Sequence, residues 1–432
     1  MKSILNTAVV LLLFMFWCLG ASAEEWDLKT CLDIGLQKNP VIMGALKGIE
    51  GAEARVRQSQ SAYYPNLFAE VDYNRYNTQA SGGSAAAQAV NSGVNDLSTY
   101  YLGLSQNVYD FGRREYKVQI SREDLKTYQW TLRDTRLTVI DNVRQGYYGV
   151  LLAQRVVQVR QEDLARTQDH LRQAQGFYQV GLKAKIDVTQ AEVAVVTAQK
   201  ALIQAENDVR VAWVTLSAAM GLDRPPVVTL KDDLETDRVQ WKLEDLRTEA
   251  LERDPILNRL RALISYWEAQ VGEVKRENWP TLTATAKYGF NNGAGYLYNN
   301  DETWTIGFQL NFPIFSGFQI KNKLAEFQAT LSQARANEEA QKLTVVSNLQ
   351  SQFLNQVLAE KQIEVAKEAL RSATENLDLA NGRYKAGVGS NLDVTDARGS
   401  YVQAENDYNQ ALYNYITARY KVIRAIGRDP FI

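Results

Sequence analysis

Histidine is nearly absent from this 432-residue sequence, which has His170 and no other. Cysteine occurs twice, at Cys18 and Cys31. No His pair is available for zinc and no Cys–His dyad for nucleophilic attack, and no G-x-S-x-G or P-loop spelling occurs. No catalytic constellation, metal site or cofactor is therefore expected. His170 itself, in the charged stretch EDLARTQDHLRQ, reads as a solvated residue. An excess of positive charge is also missing: the formal net charge is −2, which argues against nucleic acid as a partner. Proline is sparse at eight residues, and the segment Lys321 to Asn381 contains neither Pro nor Gly. After residue 23, no apolar run approaches the roughly 20 residues that a membrane helix needs. Membrane contact beyond that point must come from something other than helices.

The start of the chain has its own signature. Lys2 precedes an apolar run from Ala8 to Leu19, and Ala21-Ser22-Ala23 offers small residues for cleavage. The expectation is a secretory signal peptide over 1–23. Cys18 follows Phe16-Trp17 rather than small residues, which argues against a lipid-modified cysteine. Cys31 reads as a small buried hydrophobe.

What the sequence does contain is a duplication. Trp26-Asp27-Leu28 matches Trp241-Lys242-Leu243 at an offset of 215, and Asn39-Pro40 matches Asp254-Pro255 at the same offset. Further on the offset is 206: YQVGLKAKIDVTQA at 178–191 is answered by YKAGVGSNLDVTDA at 384–397. The first copy therefore carries about nine more residues between Pro65 and Val108, where ASGGSAAAQAVNSG reads as a loop. The two repeats cover 24–221 and 241–427, with 222–240 as the link.

Each repeat opens on an amphipathic helix, and Tyr64-Pro65 or Trp279-Pro280 turns it toward extended chain. Strands are expected at about 66–78 and 97–108, then at 281–291 and 303–312. In 281–291, Leu282, Ala284, Ala286, Tyr288 and Phe290 share one face, while Thr283, Thr285, Lys287 and Asn291 share the other. Such alternation fits a lipid-facing barrel strand and a soluble two-faced hairpin equally. Long helices are expected at about 113–176, 187–220, 319–382 and 393–426. The last repeats a bulky residue and Ala by heptads: Val394, Ala397, Tyr401, Ala404, Tyr408, Ala411 and Tyr415. Known single-chain membrane barrels begin at about eight strands, so four strands close only if several chains pool them.

The order of these elements, with LQKNP at 36–40, VYDFGRR at 108–114, NFPIFSG at 311–317 and the doubled Y-x-x-G-x-x-x-x-x-D-V-x-x-A phrase, resembles the TolC-like outer membrane factor family of Gram-negative bacteria. The resemblance spans nearly all of the chain after residue 23. It implies a mainly α protein with a membrane β-barrel: a homotrimer forming a 12-stranded barrel continued by a 12-helix α-barrel. It also implies an exit duct in the outer membrane and its lipid, docked to a periplasmic adaptor (membrane fusion) protein and an inner-membrane pump or ABC exporter. The alternative is a soluble periplasmic coiled-coil scaffold or adaptor without a pore.

The doubled phrase is the candidate site. Gly181 and Gly387 are expected to close one helix, and Asp187 to cap the next. Asp396 stands three residues after Asp393, where the first repeat has Gln190. Both acids lie near one helix face, and in a trimer they would form rings favouring cations. The resemblance assigns Asp393, Asp396 and Tyr384 to a gate. It implies that the turns Gly181-Leu182-Lys183 and Gly387-Val388-Gly389 face the adaptor. Where the family carries a basic residue two positions after the turn glycine, this chain has Gly389.

Overall fold

The computed structural model describes residues 24–78, 93–234, 239, 241–294 and 300–428. The expected signal peptide, nearly all of the Gly/Ser/Ala-rich insertion and part of the link lie outside them. The first repeat runs β1 (Glu25–Trp26), α1 (Leu28–Lys38), α2 (Pro40–Gln60), β2 (Asn66–Thr78), β3 (Gly93–Tyr109), α3 (Arg113–Gln179) and α4 (Lys185–Met220). The second begins with β4 (Thr229–Leu230), which pairs with β1 in parallel, then α5 (Leu243–Arg253), α6 (Pro255–Val274), β5 (Thr281–Ala294), β6 (Asn300–Asn311), α7 (Gln319–Lys385) and α8 (Asn391–Ala425). The opening helix of each repeat is two helices, broken before Pro40 and Pro255. Proline at a first helical position costs no hydrogen bond, but it holds the preceding residue extended.

One compact unit holds residues 47–130 and 257–340. Its sheet has the order β2-β3-β5-β6, antiparallel throughout. The registers Leu67↔Leu104, Leu102↔Tyr288, Tyr100↔Phe290 and Ala286↔Ile306 put apolar residues opposite apolar residues on all four strands. Much of that face is exposed in the single chain, including Leu67, Val71, Leu102, Tyr288, Trp304, Ile306 and Phe308. Exposed aromatics gather at the strand ends next to the helices: Tyr64, Tyr109, Trp279, Phe312 and Phe315. Aromatic girdles of this kind mark the lipid–water boundary of membrane barrels.

The opposite face is polar and stitched. Phe68 lies over Gly103, where an added Cβ would come within 2.4 Å of the ring. Lys287 Nζ pairs with Glu70 at 2.7 Å and stands 5.6 Å and 5.5 Å from the rings of Phe68 and Tyr101. This contact crosses β3 and ties the hairpin of the first repeat to that of the second.

The motif VYDFGRR is the turn from β3 into α3. The chain takes two successive left-handed residues, Phe111 (φ 56°) and Gly112 (φ 86°); in the second repeat they are Gly317 (φ 62°) and Phe318 (φ 64°). Arg114 reaches back to donate to the carbonyls of Asn107 (2.8 Å) and Val108 (3.2 Å) and pairs with the buried Asp110 at 3.3 Å. Replacing Arg114 with Ala would strand Asp110 as a buried, unpaired charge, at a cost of about 3–5 kcal/mol. The expected outcome is a marked fall in folded, heat-resistant protein on gels, which Arg114→Lys restores only in part.

The other unit holds 24–46, 131–256 and 341–428 of the described residues. Cys31, Ile140, Val143, Tyr147, Leu216, Met220, Tyr415 and Ile416 form its largest core, and the Tyr147 hydroxyl donates to the Lys231 carbonyl at 2.7 Å. Cys31 is fully buried, and burial pushes its thiol up to about 12, so it stays protonated and inert. The LQKNP motif acquires a reason here. Asn39 accepts from the Val41 amide (2.9 Å) and donates to the Ala219 carbonyl (2.8 Å), clamping the break before α2 to the end of α4. Gly221, left-handed at φ 77°, closes α4 where a Cβ would sit 2.7 Å from Asn39 Cα; Gly427 repeats this against the Arg253 carbonyl. Along α8 the heptad positions Val394, Ala397, Tyr401, Ala404, Ala411, Tyr415, Ala418 and Val422 are buried.

Candidate functional site at the helix tips

The doubled phrase forms two helix-to-helix turns. At the first, Gly181 (φ 74°) donates to Tyr178 O and Leu182 to Phe177 O. At the second, Gly387 (φ 78°) donates to Tyr384 O, and Val388 and Gly389 both donate to Arg383 O. A left-handed glycine satisfying the last carbonyls is the usual way to stop a helix of this length.

The returning helices begin differently from expectation. In α8 the cap is Ser390, whose hydroxyl accepts from the Asp393 amide (3.1 Å) while the Asp393 carboxylate accepts from the Ser390 amide (3.2 Å). This reciprocal pair is a capping box. In α4 the corresponding N-cap is Ala184, which makes no side-chain cap bond. Asp187 is therefore not the cap: it sits in the first turn, where its charge meets the positive end of the helix dipole. The shared letters D-V-T mark the third helical position, not the start.

Tyr384 is 1% exposed, packed among Leu377, Val394, Ala397 and Tyr401 with Phe177 edge-on at 5.7 Å. Its hydroxyl has no hydrogen-bond partner among the described residues. Burial first, and the charge of Asp187 second, raise its pKa above the ordinary tyrosine value. Asp393 and Asp396 are both exposed.

The turns do not all face outward. Leu182 and Val388 do, at 69% and 72% exposure. Lys183 and Gly389 instead turn toward each other: Lys183 Nζ donates to the Gly389 carbonyl at 2.9 Å and stands 5.3 Å from the Tyr384 ring. Gly389 is buried, and a Cβ there would lie 2.7 Å from the Tyr384 amide nitrogen. A side chain at 389 would not fit this backbone, and the charged group beside this turn is Lys183 of the other turn.

His170 is not the solvated residue that its charged surroundings suggest. Half-buried, it donates from Nε2 to Asn391 Oδ1 (2.5 Å), its ring lies 4.7 Å from that of Tyr384, and Asn391 passes the connection to Gln190 at 2.8 Å. Arg398 pairs with Asp163 at 3.3 Å, and Arg166 lies 4.3 Å over the Tyr401 ring. Burial raises the Asp163 pKa, with Arg398 opposing. All these contacts join the first turn's helices to the second's.

Two helix hairpins clasped side by side, together with a four-stranded sheet carrying an exposed apolar face, match a known architecture. The profile of the outer membrane efflux protein family matches residues 32–222 and 246–428, once on each repeat. The chain belongs to that family. Among its relatives, outer membrane protein TolC of Escherichia coli is 24% identical over 403 residues, covering 90% of this chain and 80% of TolC. The probable efflux pump outer membrane protein TtgC of Pseudomonas putida is 22% identical over 405 residues, covering 93% and 82%. The fold agrees with that of the CmeC outer membrane channel of Campylobacter jejuni (TM-score 0.78, 19% identity, covering 93% and 85%). It also agrees with VceC of Vibrio cholerae (TM-score 0.77, 18% identity, covering 93% and 96%). The chain is thus a mainly helical efflux protein of the Gram-negative outer membrane, and its named relatives are channels and efflux components rather than enzymes. The soluble scaffold alternative falls with that location.

Proposed function

We propose that three copies of the chain close a 12-stranded barrel in the outer membrane and continue it as a 12-helix α-barrel in the periplasm. One observation carries this reading. The sheet has an apolar face on every strand, yet among the described residues β2 and β6 are each hydrogen-bonded on one side only. In lipid an open edge leaves amides and carbonyls unpaired at several kcal/mol each, so a lipid-facing sheet must close. Four strands close by meeting other copies edge to edge. Exposed apolar residues along α4 (Val196, Ile203, Val211, Val214) and α7 (Leu343, Leu354, Leu358, Val365) offer further surface for neighbouring copies.

In this reading the tips are the periplasmic gate. Tyr384 holds each pair of hairpins together, Asp393 and Asp396 supply rings of negative charge across the opening, and Lys183 bridges the two turns. Gly181, Leu182, Gly387 and Val388 contact a periplasmic adaptor, which couples the duct to an inner-membrane pump or exporter; relatives named as efflux pump components support this partnership. Cysteines placed along β2 and β6 should form disulfides between chains and give covalent trimers. A monodisperse monomer in detergent, without conductance in planar bilayers, would overturn the proposal.

A further inference from the structure

Two cavities adjoin beside the tips. The larger, about 510 Å3, lies between α4 and α8 and has Ile186, Val193 and Leu392 on its walls, all exposed apolar residues. The smaller, about 160 Å3, is lined by Arg166, Lys385 and Arg398 together with His170. Ala194, Thr395 and Arg398 line both, so the two form one groove with an apolar end and a cationic end. Its size falls within the roughly 300–1,000 Å3 typical of small-molecule sites.

The charges around the cationic end do not cancel completely. Asp169 lines it but pairs with Arg172. Glu162 stands 3.5 Å from Arg166, and Asp163 stands 3.3 Å from Arg398. Lys385 has neither a hydrogen bond nor an ion pair among the described residues. The Arg398 side chain is only 17% exposed, so its field is poorly screened by water. An anion entering here would meet a free ammonium and a partly desolvated guanidinium, while an attached apolar body would cover Leu392 and Val193.

We propose that this groove binds an amphiphilic anion: an apolar ring system or chain in the α4–α8 end, with one carboxylate, sulfonate or sulfate head on Lys385 and Arg398. The site needs only the fold of the tips and does not depend on the trimeric duct. The test uses the full-length protein in nanodiscs of zwitterionic lipid, with empty discs subtracted. 8-Anilinonaphthalene-1-sulfonate is the probe, and N-phenyl-1-naphthylamine, the same skeleton without the sulfonate, is the uncharged control. The sulfonate should bind saturably, once per chain. Lys385→Gln, at an exposed position, should weaken it about threefold, the size of a partly screened ion pair. Leu392→Asn should weaken both probes about tenfold through lost apolar contact. Lys385→Gln should leave the uncharged probe unaffected. Equal affinity for the two probes, an unchanged sulfonate affinity in either variant, or no saturable binding above empty discs would overturn the proposal.

Discussion

Tyr384→Ala should open the channel, whereas Tyr384→Phe should leave it closed. The ring is buried among the residues that hold the two hairpins together, so its removal costs about 3–5 kcal/mol of local packing. The hydroxyl makes no hydrogen bond among the described residues. Deleting an unpartnered buried hydroxyl is close to neutral, because nothing is left unsatisfied. In planar bilayers the Ala variant should conduct several-fold more than the parent, and the Phe variant should match it. Lys183→Met should fall between them, since it removes one charged hydrogen bond worth about 1.5–3 kcal/mol before solvent screening. If the Phe variant conducts like the Ala variant, the lock is the hydroxyl and the packing account fails.

Asp396→Asn should reduce cation selectivity more than Asp393→Asn. Both carboxylates are exposed and three residues apart, but Asp393 is committed to the Ser390 amide through the capping box. Its charge is partly engaged in starting the helix. Asp396 has no such duty, so its field is free to act on passing ions. The potassium-to-chloride permeability ratio should fall most with both residues replaced and more at low than at high ionic strength, since at 0.1 M the screening length is only about 10 Å. Asp393→Ala should in addition loosen the start of α8 by about 1 kcal/mol, the size of the one hydrogen bond it accepts from Ser390. An unchanged ratio in the double Asn variant would remove the acid rings from the mechanism.

Much of this architecture was legible because it was written twice and with strict periods. Alternation over 281–291 predicts a two-faced strand, and the registers put Leu282, Ala286 and Tyr288 opposite apolar residues of both β3 and β6. The heptads of α8 predict which face is buried. The site was less legible. Asp187 reads as a cap because a carboxylate at a helix start would meet its free amides, yet the helix starts earlier and the cap position holds Ser390 in one repeat and Ala184 in the other. The bond between His170 and Asn391 joins residues 221 apart, and that between Lys183 and Gly389 joins residues 206 apart. Neither follows a local period, so only the folded chain brings them together. A buried polar residue with a specific distant partner leaves no mark in one sequence that separates it from a solvated one.

The Lys183–Gly389 contact also shows how far the two repeats differ in what they contribute. The two residues occupy the same place in their repeats. A chain built from two copies of the second half would have glycine at both turns and no donor to bridge them. Two copies of the first half would put lysine at 389, where its Cβ would press within 2.7 Å of the Tyr384 amide nitrogen. Either homogenised chain loses the clasp. In this chain the two turns are therefore complementary parts rather than interchangeable units, and the duplication does not make one half a substitute for the other at this point.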